Sequence, residues 1–299
     1  MDRLDTMRVF VAVAEASGFA AAARKLGVSA PAATRAVAAL EQRLGTPLLH
    51  RTTRLVRLTD AGRRYLVDCR RILGEIEEAE ASATGAHGAA AGPLGVTAPA
   101  MFGRLFVAPI LLDYARQSPA VTPRLFLADR LVDLIEEGYD VAVRIAHLQD
   151  SSLTAVRVGQ MRRVICASPG YLKAWGEPRT PDALAKLDAV AFAPIGPARE
   201  WSFRSGSRVQ TIGPSVRFVA NTAEIAVAAA VAGQGLTSVL HYQAAPELKA
   251  GKLRIVLADF ELPPVPVQVV HREGRRANAR VRGFVDLAVA RLRADKALQ

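Results

Sequence analysis

The sequence predicts a mixed fold: an all-α N-terminal part built around a helix-turn-helix and a long helix, then an α/β region of about 200 residues. Three observations predict it. Residues 1–91 read almost entirely as helix, interrupted by one short hairpin. The long helix keeps apolar residues at heptad spacing. Beyond Pro93 the pattern changes to alternating strands and helices.

Taken in order, Leu4, Met7, Val9, Phe10, Val11, Val13 and Ala14 give a first helix with a broad apolar face, broken by Ser17-Gly18. Phe19 to Leu26 is a second helix, ended by Gly27 at a C-terminal cap position. Ser29 is an N-cap and Pro31 sits in the first turn, where a missing N–H costs nothing. This third helix runs from about Ala30 to Leu44 and stops at Gly45. Pro47 to Leu58 places Leu48, Leu49, Leu55, Val56 and Leu58 around a polar turn and reads as a two-stranded hairpin. Thr59 caps a fourth helix from Asp60 to about Ala83. Its apolar positions Tyr65, Cys69, Ile72, Ile76, Ala79 and Ala83 form a seam, and the chain offers no helix of like length to cover it. The seam is therefore expected to pair with a second copy of the chain, the alternative being a helix packed on its own domain. Residues 84–93 are small and linker-like.

In the α/β region, strands are expected at Leu94–Pro99, Val121–Ala128, Tyr139–Ile145, Val164–Ala167, Ala189–Ala193 and Leu236–Leu240. Helices are expected at Phe102–Arg116, Arg130–Glu137, Thr222–Ala232 and Ala277–Ala294. The length of 299 residues fits about two domains.

A net charge of +11 and a pI near 10.3 point to a polyanionic partner, nucleic acid before membrane. The excess sits at the two ends: residues 1–71 carry 13 basic against 6 acidic side chains, and residues 271–299 carry 8 against 3. No apolar run reaches about 18 residues and no secretory signal is read, so no membrane partner is expected. Cys69 and Cys166 are far apart and fit packing roles in a reducing cytoplasm.

A helix, a Gly-ended turn and a second helix opening with Ser and Pro form the helix-turn-helix pattern. The second helix of such a unit lies in the DNA major groove with its N-terminal residues against base edges. Here it offers Ser29, Pro31, Ala32, Thr34 and Arg35. Arg35 suits a forked hydrogen bond to guanine, Ser29 and Thr34 suit a base or phosphate, and Ala32 and the Thr34 methyl suit a thymine methyl. Arg51, Arg54 and Arg57 on the hairpin suit the flanking phosphates.

The run FAAAARKLGVSAPAATRAVAALEQRLGTPLLHRTTRLVRLTDAG, from Phe19 to Gly62, resembles the DNA-binding domain of LysR-type transcriptional regulators. RLVDLIEEGYDVAVRI (Arg130 to Ile145) and CASPGYL (Cys166 to Leu172) carry the resemblance through the remainder of the chain. It implies a winged helix-turn-helix over residues 1–59, a dimerising linker helix and hinge over 60–91, and a two-lobed effector domain over 92–299, shaped like a type 2 periplasmic binding protein. The crossings between lobes are expected near 144–151 and 265–270. The resemblance further implies double-stranded operator DNA, a small-molecule effector, a homodimer or homotetramer and contact with RNA polymerase as partners.

Two departures from the family pattern stand out. Ala30 and Ala36 replace the usual glutamines, so direct base readout is expected to rest on fewer side chains and operator shape to matter more. Ala100-Met101-Phe102 replaces a serine at a helix start, which weakens the expectation of a carboxylate held there by a hydroxyl, although backbone N–H groups remain. The expected effector cleft contains Thr97, Ala100, Met101, Arg144, Trp201, Asn221 and Thr222; the alternatives are a surface ion pair of Arg144 with Asp140 or Asp150, a helix cap by Asn221-Thr222 and a core place for Trp201. One cation beside Met and Trp surface suits a small aromatic or unsaturated ligand with at most one acidic group.

The rival classes fit less well. An enzyme finds no support, because His50, His87, His147, His241 and His271 lack metal spacing, no GxSxG elbow occurs and Gly233-Gln-Gly235 lacks a third Gly. No metal and no cofactor is expected. A solute-binding protein does not explain the basic N-terminal part, and a nucleoid-type architectural binder does not need the near-neutral α/β region.

Overall fold

The computed structural model describes residues 2–51, 56–83, 90–148, 153–193, 200–206, 208–272 and 277–299, with the backbone alone at 51, 71, 75 and 77–83. By internal contacts the chain divides into one unit of residues 1–89 with 135–138, and a second comprising 90–134 and 139–299.

The first unit contains α1 (Arg3–Ala16), α2 (Phe19–Leu26), α3 (Ala30–Leu44), the antiparallel hairpin β1 (Leu49–Arg51) and β2 (Val56–Leu58), and α4 (Asp60–Ala83). The punctuation is chemical. Asp2 caps α1 by accepting from the Asp5 N–H, and Ser29 Oγ caps α3 by accepting from the Ala32 N–H at 3.3 Å. Gly27 and Gly45 end α2 and α3 in the left-handed region, each at φ +65°, where a side chain would be strained. The core joins Val9, Phe10, Val13, Val37 and Leu40 to small residues: Ala12, Ala22, Ala23, Ala33 and Ala36 are all buried. Small side chains let α1, α2 and α3 approach closely.

The wing is held from both sides. Glu41 Oε1 accepts from the Leu48 N–H (2.8 Å) and the Leu49 N–H (3.0 Å). Thr59 Oγ1 donates to the Pro47 carbonyl (2.8 Å) and accepts from the Gly62 N–H (2.9 Å). A Cβ on Gly62 would lie 2.0 Å from the Leu48 carbonyl oxygen, so α4 rests directly on wing backbone.

The second unit has two five-stranded sheets. The first runs β4-β3-β5-β14-β6, from β3 (Gly92–Ala98), β4 (Val121–Leu127), β5 (Val141–Ile145), β6 (Thr154–Met161) and β14 (Val265–His271). β3 is parallel to β4 and β5, whereas β14 is antiparallel to β5 and β6. A helical run follows β3: α5 (Ala100–Phe102), a π turn (Gly103–Val107) and α6 (Ala108–Gln117). The second sheet runs β11-β8-β12-β7-β13, from β7 (Arg163–Ala167), β8 (Asp188–Phe192), β11 (Ser215–Ala220), β12 (Leu236–Leu240) and β13 (Arg254–Val256). Around it lie α7 (Pro169–Trp175), the hairpin β9 (Trp201–Ser205) with β10 (Arg208–Ile212), α8 (Ala223–Val231) and α9 (His241–Lys249). The chain closes with α10 (Ala279–Ala294) and a 3-10 turn at Lys296–Leu298 on the first lobe. There Leu298 is fully buried, and a Cβ on Gly159 would lie 2.4 Å from its carbonyl oxygen.

Three expectations are corrected. The crossings are not at 144–151 and 265–270: Arg144 and Ile145 end β5, and Val265–His271 is β14, all within the first sheet. The chain crosses at Arg162, between β6 and β7, and returns between Phe260 and Val265. Arg130–Glu137 is not a helix but a series of turns. Its carbonyls are taken from outside: the Arg144 guanidinium donates to the carbonyls of Arg130 and Val132. Among the seam residues, Cys69 is not free for a partner chain, because it is fully buried in the core of its own unit. Tyr65 is half-buried, with its ring 5.7 Å from Phe10.

Candidate nucleic-acid interface and ligand cleft

On α3, Ala33, Ala36, Val37 and Leu40 face the core, which turns Pro31, Arg35, Ala38 and Gln42 outward on one exposed strip. Arg35 thus projects beside the capped N-terminus. Ser29 is exposed, and its Oγ accepts from the helix while its own O–H stays available. Thr34 differs: its Oγ1 donates to the Ala30 carbonyl at 3.0 Å, leaving acceptor capacity and the methyl group for a base edge. Ala32 is half-buried beside them. Ala36 is 4% exposed, so an amide at that position would meet the domain core rather than a groove. Gln42 was missed among the residues singled out above. Its spacing of seven from Arg35 is the helical signal that places both on one strip.

Arg57 is exposed on β2, paired in register with His50. Arg51 ends β1, while Arg54 and the Arg51 side chain lie outside the described residues. Behind this surface Glu15 binds Lys25 at 3.2 Å and Arg70 at 3.0 Å, joining α1 to α2 and α4. Burial pushes the Glu15 carboxyl up, but hydrogen bonds and charge from Lys25 and Arg70 together outweigh it and leave it below its ordinary value. Both cysteines are buried thiols pushed up by desolvation, Cys69 to about 11 and Cys166 to about 12, which suits packing rather than reactivity. Farther along α4, Ile72 and Ile76 are half-buried, and the Ala79 side chain lies outside the described residues.

In the second unit the residues expected at the cleft separate. Trp201 is 7% exposed and packs with Tyr171, Leu184 and Phe203 in the core of its lobe, so it is not a ligand platform. Arg144 spends donors on the carbonyls of Arg130 and Val132, and the Asp140 carboxylate accepts from the Gly95 N–H at 2.7 Å. Thr97 and Met101 are buried. Asn221 is exposed and Thr222 is the N-cap residue of α8, yet its side chain makes no capping bond.

A residue not anticipated controls the helix start after β3. Asp129 Oδ1 accepts from the Ala100 N–H at 3.0 Å, so the backbone donor expected to hold an anion already holds one from the chain. Burial raises the Asp129 carboxyl, the Ala100 N–H opposes this, and Glu224 raises it further. Glu224, on α8, lies 3.8 Å from Arg104 of the π turn. Tyr242 of α9 sets its ring edge-on to Phe102 (5.6 Å) and Phe106 (5.8 Å). The signal for Asp129 was its place just beyond a strand end facing a helix start.

Comparison with known proteins agrees with this architecture. A family model described as "Bacterial regulatory helix-turn-helix protein, lysR family" matches residues 4–63, and one described as "LysR substrate binding domain" matches residues 87–293. The chain is 36% identical to an HTH-type transcriptional regulator of Xanthomonas campestris, over 98% of this chain and 86% of that one. It is 32% identical to the HTH-type transcriptional activator AaeR of Escherichia coli, over 91% and 88%. The solved structure of CrgA, a LysR-type transcriptional regulator from Neisseria meningitidis, superposes with a TM-score of 0.60 at 29% identity, covering 98% of this chain and 99% of CrgA. With a helix-turn-helix unit whose second helix is exposed and a two-lobed α/β unit following it in the sequence, the chain belongs to the LysR family of transcriptional regulators.

Proposed function

We propose that the chain recognises a bounded operator in double-stranded DNA through α3, as a homodimer or homotetramer, and that a small effector between the lobes changes how the bound DNA is bent. The observation that carries the DNA reading is the outward strip of α3. Arg35 lies there beside a capped helix N-terminus, with Ser29, Pro31, Ala32 and Thr34 around it. Arg35 reads one guanine, Gln42, about two helical turns farther along, suits a flanking phosphate, and Arg57 with Arg51 and Arg54 neutralises other flanking phosphates. Tyr65, Ile72 and Ile76 supply the half-buried seam for the second copy, without Cys69. The protein acts in the cytoplasm, binds and regulates without catalysing a reaction, and communicates with RNA polymerase from the bound operator.

The effector cleft uses Asp129, Glu224, Asn221, Thr222 and the Ala100–Met101 turn, rather than Arg144 and Trp201. Asp129 already fills the anion position at Ala100, so the cleft selects a small unsaturated or aromatic body bearing hydrogen-bond donors over one with a carboxylate at that end.

Footprinting the DNA beside the gene, with and without candidate metabolites, tests the reading. A bounded footprint that shifts with a metabolite supports it. Uniform coverage favours an architectural binder, and metabolite binding with no DNA affinity favours a solute-binding protein.

A further inference from the structure

The second unit carries a pocket distinct from the cleft residues above, set at the crossings between its lobes. It has a volume of about 690 Å³, within the range of small-molecule sites. Gln160, Met161 and Arg162 approach it from the outgoing crossing and Pro264 from the returning one. The second lobe adds α9, and the first adds Phe106 and the C-terminal turn.

Two features of the lining define a ligand. The walls are apolar and partly aromatic: Phe106, Met161, Tyr242 and Pro246. The charged side chains are all of one sign, since no acidic side chain lines the pocket while Lys249 and Lys296 do. Neither lysine makes an ion pair among the described residues. Arg162, also lining, is already matched. It gives a two-pronged hydrogen bond to Glu261, Nε to Oε2 at 2.9 Å and Nη2 to Oε1 at 3.0 Å, which ties one crossing to the other. The C-terminal wall is built rather than incidental. Leu298 is buried against Gly159, and Gln299 Nε2 donates to the Arg293 carbonyl at 3.2 Å.

We propose that this hinge pocket is a second ligand site, for a small amphipathic monoanion: an aryl carboxylate whose ring lies on Phe106, Met161 and Tyr242 and whose carboxylate takes Lys249 and Lys296. Lys249 ends α9 on the second lobe and Lys296 begins the C-terminal turn on the first. An anion held by both therefore links the lobes and favours one inter-lobe geometry. Tyr242 also touches Phe102, next to the cleft residue Met101, so occupancy of the hinge pocket bears on the cleft through one shared ring.

The test uses the full chain and benzoate as probe, titrated by calorimetry and by thermal midpoint, with acetate and benzyl alcohol as partial probes. Benzoate is expected to bind and to outcompete both, because neither partial probe satisfies ring and charge together. K249Q/K296Q should weaken benzoate about tenfold, from two partly exposed ion pairs of ordinary strength. Asp129→Asn, in the cleft, should change benzoate affinity much less than K249Q/K296Q does, which separates this site from the proposed effector cleft. The proposal is overturned by absence of benzoate binding to the parent chain, by binding undiminished in K249Q/K296Q, or by loss of binding in Asp129→Asn alone.

Discussion

Replacing Glu41 with Ala should unfasten the wing. One carboxylate oxygen serves the N–H groups of both Leu48 and Leu49, whose residues are 2% and 5% exposed. Removing it strands two donors at a site that excludes most water, at about 1–3 kcal/mol for each donor left unmatched. The exposed Thr46 and Pro47 beside them admit some solvent, so the expected total is about 2–4 kcal/mol. Glu41→Gln keeps an oxygen acceptor and loses only the charge assistance, about 1 kcal/mol. Because the chain has more than one folding unit, a single melting curve mixes them. Amide hydrogen exchange at Leu48 and Leu49 reads the effect locally. Faster exchange in the order Glu41→Ala, Glu41→Gln, parent is expected, with affinity falling alike on operator and random DNA as Arg57 loses its platform. Parent-like exchange at both amides in Glu41→Ala would refute the reasoning.

Arg35→Ala should relax base preference at one operator position at a cost of about 1–3 kcal/mol, whereas Arg57→Ala should weaken all DNA and reduce the salt dependence by about one charge per protomer; selection from randomised operators at two salt concentrations distinguishes them. Glu15, held below its ordinary pKa, contributes stability that is present above its unfolded value near 4.5 and is lost as pH falls through the lower folded value. Glu15→Gln should therefore remove at most about 1 kcal/mol at neutral pH and flatten acid unfolding of the first unit below that value, followed by circular dichroism. Ile76→Asp should place an unmatched charge in the seam between copies, and sedimentation should show smaller species with weak operator affinity; an unchanged oligomer would reject the seam.

Much of the first unit was legible because its boundaries are chemical: Gly27, Ser29, Pro31 and Gly45 act within a few residues of where they stand. The α/β unit was harder where side chains act over distance. The stretch from Arg130 to Glu137 has helical apolar spacing, yet Arg144, on a separate strand, holds its carbonyls. β6 alternates only weakly and contains Gly159, so it did not read as a strand, and the first crossing was expected too early. For the cleft, residue type alone misled. An arginine after a strand suggests an anion site, but here it donates to main-chain carbonyls, and at the helix start an aspartate supplies the anion. Within the heptad pattern, Cys69 is spent on the core of its own unit, which residue type and spacing alone do not reveal.

The alanine-rich contact among α1, α2 and α3 also bears on how such a protein diverges. A methyl added at Ala22, Ala23, Ala33 or Ala36 has nowhere to go without lifting the reading helix, so those positions set its pose. Arg35, Ala38 and Gln42 are exposed on the opposite side of the helix. Duplicated copies can thus acquire new operators by exchanging three outward side chains in single steps, each testable by selection without first losing the scaffold. Drift in target and constancy in docking angle are two outcomes of the same packing.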